Sequence, residues 1–138
     1  NFFSIFFLLQ IYFKYLKKYK VSTSIVNIGS IVGKIGFDEL SAYASTKSAL
    51  SGLSKSLATE FSKKNIRINL IEPGFTKTSF YNNFKTKKKL YEWTLRRTPM
   101  HRWGEPNEIS DLIIFLLSDK STYITGESIS IDGGWSNS

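Results

Sequence analysis

The chain has 138 residues, room for one domain of ordinary size, and with 41% hydrophobic and 15% aromatic residues it is not a disordered segment. It has no cysteine and a single histidine, His101, which excludes disulfides, thiolate metal sites and histidine-based metal sites. The net charge is +8, yet the lysines fall in short clusters (Lys17-Lys18, Lys63-Lys64, Lys87-Lys88-Lys89) that read as solvated helix surface; no zinc-finger pattern, RNP-type strand or long basic arm points to a nucleic-acid partner.

Residues 2–16 are apolar nearly all round, which predicts a helix buried on most faces. Basic residues follow this run instead of preceding it, so it does not read as a signal peptide. The stretch before Lys14 is thirteen residues, short of the roughly 20 that span a bilayer. No membrane partner is expected, and a cytoplasmic setting is. The abrupt start at Asn1 suggests the C-terminal part of something longer.

Lys17 to Thr23 reads as a connection and Ser24 to Ile28 as a short buried strand closed by Gly29. Gly29 to Leu40 holds three glycines and reads as a loop. Ser41 is placed to cap a helix reaching about Lys64, with Leu50, Leu53, Leu57 and Phe61 as its apolar stripe and Asn65 as its stop. Residues 66–71 alternate as a second strand ended by Pro73-Gly74. Residues 76–98 are basic and aromatic and read as helical in part. Pro106 starts a helix with Ile109, Leu112, Ile113, Leu116 and Leu117 on one face. Residues 128–132 form a third strand before Gly133-Gly134. This alternation predicts an α/β fold: a parallel sheet with helices on both faces and ligands at the carboxyl ends of its strands.

Those ends carry reactive side chains. Tyr43 and Lys47, four apart near a helix start, share a face, and Ser30 lies just past the preceding strand. The loop between is long enough to fold back, so all three can converge. A phenol is a poor base at neutral pH, and an ammonium one turn away favours its ionised form. Such a pair can take a proton from an alcohol or give one to a ketone oxygen while a nicotinamide cofactor handles hydride. The serine can hydrogen-bond the same oxygen. Taken alone, Y-x-x-x-K is common by chance.

The wider stretch is more specific. IVNIGSIVGKIGFDELSAYASTKSAL resembles the strand, catalytic loop and helix of the short-chain dehydrogenase/reductase family. The likeness continues through KSLATEFSKKNIRINLIEPGFTKTSF and GEPNEISDLIIFLLSDKSTYITGESISIDGG, and covers nearly all of residues 24–135. IVNIGS and YITGE resemble 3-oxoacyl carrier-protein reductases of the family, and TPMHRWGEPNEI its gluconate 5-dehydrogenase-like members.

The resemblance implies the C-terminal part of a Rossmann-type doubly wound parallel sheet, with three strands and flanking helices. It implies a hydride transfer between NAD or NADP and an alcohol or ketone. In the family the serine that orients the substrate oxygen falls on Ser30, and the tyrosine general acid/base on Tyr43. The lysine that favours the phenolate and binds the nicotinamide ribose falls on Lys47. The P-G-x-x-x-T cofactor segment falls on Pro73, Gly74 and Thr78, with Thr76 where a backbone group meets the carboxamide. A fourth catalytic position, an asparagine holding a water beside the lysine, falls on Asn1, 29 residues before Ser30. The segment 75–103 would close over substrate, although Phe80, Tyr81, Phe84, Tyr91, Trp93, His101 and Trp103 are each expected to pack locally more than to touch it.

The family's glycine-rich T-G-x-x-x-G-x-G turn does not occur in the sequence. Residues 1–138 therefore read as the catalytic portion of a single Rossmann-type domain without its N-terminal cofactor-binding half. A truncated, non-catalytic fragment or interaction module is the alternative reading. The full-length protein is expected to be a homodimer or homotetramer.

Overall fold

The computed structural model describes residues 2–137. Helix α1 (Phe2–Tyr19) leads into strand β1 (Thr23–Ile28), followed by a single 3₁₀ turn at Ile31–Gly33. Helix α2 (Ser41–Phe61) ends in a 3₁₀ turn and enters strand β2 (Ile66–Pro73). Helices α3 (Ser79–Lys85), α4 (Lys88–Arg97) and α5 (Pro106–Leu117) precede strand β3 (Ser128–Ile131). The strands are parallel in the order β1-β2-β3, with Ile28 opposite Ile71 and Pro73 opposite Ile131.

Strand alternation sends neighbouring residues to opposite faces. Ile25, Ile66 and Ile68 join Leu9, Phe13, Leu16, Ala58 and Phe61 in one core beneath α1 and α2. Phe13 and Phe61 stack with ring centres 4.0 Å apart. The opposite face meets α5. There Ser24 donates to the Leu116 carbonyl, and the Arg67 guanidinium donates to the Leu116 and Ser118 carbonyls at 2.9 and 3.0 Å. A cation thus satisfies orphan carbonyls at the negative end of a helix. Asn65 takes the left-handed conformation (φ 56°) that lets the chain turn from α2 into β2.

Several expectations are corrected. The first helix runs on to Tyr19, because Lys17 and Lys18 sit favourably in its last turn. Only Leu9, Phe13 and Leu16 of it are buried, while Phe3, Phe7, Leu8 and Ile11 are exposed. Ser41 is the first helical residue and does not cap; Leu40 holds the cap position without a side-chain bond. The stripe of α5 keeps Leu116 inside but leaves Leu117 exposed. The region 76–98 resolves into two short helices, and β3 stops one residue early, at Ile131.

Candidate active site

Ser30 follows β1 at its carboxyl end, in extended backbone (φ −169°, ψ 150°). Its Oγ accepts from the Val32 N–H at 3.2 Å, so the hydroxyl proton is left to donate elsewhere. The turn it opens is pinned to α2: Ser48 Oγ donates to the Gly33 carbonyl at 2.6 Å. Gly33 lies so close to α2 that a Cβ there would meet the carbonyl carbon and Cβ of Lys47 at 2.8 Å. Asn27 donates to Ser54 at 2.9 Å in the buried layer and ties β1 to the same helix.

Tyr43 occupies the third position of α2 and is 38% exposed, so its ring is open to a ligand. Lys47 sits one turn on, with Nζ 5.7 Å from the centre of the Tyr43 ring. The same Nζ donates to the Ile28 carbonyl at 2.9 Å, which fixes the ammonium at the end of β1. Partial burial lowers the Lys47 pKa from the ordinary 10.5.

Ser30 and Tyr43 open onto one cavity of about 530 Å³, which Pro73 and Gly74 also line. Gly74 is needed there, because a Cβ would strike Asp132 Cβ at 2.7 Å. The remaining wall is Ile31, Val32, Phe37, Leu40, Phe75 and Phe80. Phe37 and Phe75 rest on Trp135, at ring-centre distances of 5.8 and 5.0 Å, and Phe75 also meets Trp103 at 5.0 Å.

The segment after Gly74 is held by a second latch. Thr76 bridges Gly104, with Lys77 N–H donating to the Gly104 carbonyl and Gly104 N–H to the Phe75 carbonyl, both at 2.9 Å. Lys77 pairs with Glu105. Arg102 grips Glu108 through two bonds of 2.7 and 2.6 Å, and the Glu105 N–H adds a third at 2.8 Å. These donors, Arg102 first, hold the Glu108 carboxyl down at about 2. Thr76 Oγ1 donates to the Gly74 carbonyl, and Thr78 stands exposed at the start of α3 without a side-chain cap bond.

The structure therefore brings Ser30, Tyr43, Pro73 and Gly74 around one cavity, with Lys47 beneath the tyrosine. Thr76 and Thr78 lie on the adjoining segment and do not line it. Asn1 lies outside the described residues. The ammonium of Lys47 and the hydroxyl of Thr78 form a donor set that suits the ribose and phosphate groups of a dinucleotide. Sequence reasoning passed over Phe37, Leu40 and Phe75 as cavity wall and Trp135 as the support of the two phenylalanine rings. The signal available was Phe75 immediately after Pro73-Gly74, and a tryptophan immediately after Gly133-Gly134. Among the described residues, no helix is long and apolar enough to cross a membrane.

A family model described as enoyl-(acyl carrier protein) reductase matches residues 1–136. A chloroplastic tropinone reductase homolog of Arabidopsis thaliana is 40% identical over 136 residues, which is 99% of this chain and 42% of that protein. The chain thus spans less than half the length of this curated relative. A 4-hydroxyisoleucine dehydrogenase complexed with NADH superposes with a TM-score of 0.93 at 37% identity, over 96% of this chain and 55% of that one. An Agrobacterium tumefaciens protein assigned as a 2-deoxy-d-gluconate 3-dehydrogenase, with bound NADP, gives a TM-score of 0.94 at 31% identity, over 97% and 55%. Sequence match and superposition agree along almost the whole of these residues, and the chain belongs to the short-chain dehydrogenase/reductase family.

Proposed function

We propose that this chain is the C-terminal catalytic portion of a Rossmann-type oxidoreductase that interconverts an alcohol and its carbonyl compound with NAD or NADP. The observation that carries the reading is that Ser30 and Tyr43 share one cavity while the Lys47 ammonium lies 5.7 Å from the Tyr43 ring. The NADH- and NADP-bound relatives support the choice of cofactor.

When bound, the nicotinamide supplies or accepts the hydride at the substrate carbon. In reduction, the Tyr43 hydroxyl gives its proton to the carbonyl oxygen, so the carbon gains a hydride, the oxygen a proton, and the product is the alcohol. In oxidation the tyrosine oxygen receives that proton back. Ser30 donates to the same oxygen and orients it, its own Oγ being held by the Val32 N–H. Lys47 favours the phenolate by its charge and offers its ammonium to ribose hydroxyls. Pro73, Gly74, Thr76 and Thr78 form the side on which the nicotinamide and phosphates would lie. Asn1 is assigned the water-holding role from the sequence resemblance alone. The exposed apolar face of α1 and the small residues Ala42, Ala49 and Gly52 on the outside of α2 support assembly as a homodimer or homotetramer.

The test is Tyr43→Phe in an active form of the protein. The phenylalanine keeps the ring and deletes the proton donor. Turnover is expected to fall by about 10²–10⁴-fold with cofactor binding retained. A variant holding more than about a tenth of wild-type kcat would overturn the acid/base role.

A further inference from the structure

The chemistry of the cavity wall narrows the substrate. Resting on the reading above, we propose that the substrate is a neutral, apolar cyclic or aromatic ketone, or the matching secondary alcohol, and not a sugar acid or another anion. The polar side chains on the cavity are Ser30 and Tyr43, which together mark where the reacting oxygen sits. Everything beyond them is hydrocarbon: Val32, Leu40 and the rings of Phe37, Phe75 and Phe80.

No charged side chain lines the cavity among the described residues, and the neighbouring cations are held outside it by other partners. Lys47 donates to the Ile28 carbonyl, Lys77 pairs with Glu105, Arg102 is forked onto Glu108, and Lys34 donates to Ser130. A carboxylate or phosphate entering here would lose water and find no charged side chain on the wall to pair with. A hydrocarbon ring loses nothing polar and covers Phe80, which is 58% exposed at the mouth.

The wall is also poorly able to rearrange toward a charge. Phe37 lies nearly parallel to Trp135, at 17°, and Phe75 is wedged among Trp135, Trp103 and Phe84. The open cavity of about 530 Å³ is in the size range of small-ligand sites, part of it on the Pro73–Gly74 side that the nicotinamide would take. Three aromatic faces around it suit a flat or chair-shaped ring better than a hydroxylated chain.

The aromatic packing provides the readout. Phe37 and Phe75 touch tryptophans, so a ligand against them perturbs tryptophan emission. The full-length protein is titrated with 2-decalone, a neutral bicyclic ketone, and with 5-ketogluconate, an anionic one. Saturable quenching by 2-decalone is expected, with 5-ketogluconate binding at least about tenfold more weakly. Phe80→Ala, at an exposed position, is expected to weaken 2-decalone about tenfold. Leu40→Arg, on the rim, is expected to invert the preference. Equal or tighter binding of 5-ketogluconate by the wild type, or no saturation by 2-decalone, would overturn the proposal. Tyr43→Phe keeps the aromatic wall and deletes one bond to the ketone oxygen, so it is expected to bind 2-decalone more weakly than the wild type does but still ahead of 5-ketogluconate. Failure of the acid/base role therefore leaves this binding preference standing, and the two readings fail separately.

Discussion

Gly33 and Lys47 are in contact that only hydrogen at Cα allows: a Cβ on Gly33 would sit 2.8 Å from the Lys47 carbonyl carbon and Cβ. The serine loop and the tyrosine–lysine helix are thus packed backbone to backbone. Gly33→Ala must push the loop away from the helix, at about 1–3 kcal/mol of stability. Ser30 moves with the loop. Chemical denaturation is expected to show the loss, and kcat is expected to fall more than KM rises. An alanine variant of wild-type stability and activity would mean that the loop has room to spare.

Lys47→Met tests the cation. Burial lowers the Lys47 pKa below its ordinary 10.5, so between the lowered value and 10.5 the folded chain holds fewer protons than the unfolded one. Wild-type stability is therefore penalised at neutral pH and recovers as pH climbs through that window. Methionine removes the titrating group. The variant is expected to lack this alkaline recovery in a pH series of denaturation curves, and to bind NADH or NADPH more weakly. Unchanged cofactor affinity would remove Lys47 from the binding role.

Glu108 sets a limit at the acid end. Its carboxyl is held at about 2, chiefly by Arg102, against an ordinary 4.5. The folded pKa is depressed, so the stabilisation is complete above about 4.5 and is lost as pH falls toward 2. Glu108→Gln is expected to be less stable than wild type at pH 7, with the difference shrinking across that window. A constant difference from pH 7 down to acid unfolding would show that the Arg102 fork carries no charge-dependent stabilisation.

Arg67 is the internal counterpart. It caps the end of α5 through the Leu116 and Ser118 carbonyls and reaches Ser121 Oγ at 3.0 Å. Arg67→Met keeps much of the stem and removes the charged donor, leaving the Leu116 carbonyl to Ser24 and Ser121 and the Ser118 carbonyl to Ser121. A loss of about 2 kcal/mol is expected in denaturant titrations.

Assembly is read by sedimentation. The apolar outer face of α1 (Phe3, Phe7, Leu8, Ile11) and the small-residue face of α2 are expected to pair with a second copy in the full-length protein. A purely monomeric profile at micromolar concentration would refute this.

The sheet and its helices were legible because periodicity and punctuation agree: Pro106 opens α5, Asn65 turns the chain after α2, and Pro73-Gly74 ends β2. Tyr43 and Lys47 were legible because helical spacing alone puts them on one face. The cavity wall was not. Phe37 and Trp135 are almost a hundred positions apart, and no local pattern announces that one will stack on the other. The exposed side of α1 was misjudged for a related reason: an apolar run reveals a wish to be covered but not the surface that covers it.

The two parts of the site also differ in how far apart along the chain their contacts lie. Ser30, Gly33, Tyr43 and Lys47 are joined by neighbours fewer than twenty positions apart, such as Lys47 with Ile28. The wall of the cavity rests on Trp135, which follows the strand β3 that pairs with β2. Short loops close at lower entropic cost than long ones. The Ser30–Lys47 part of the site is therefore expected to form before the wall of the cavity does. On the proposed reading of the cavity, damage to the final residues is expected to blunt discrimination between ketones before it disturbs the Tyr43–Lys47 turn.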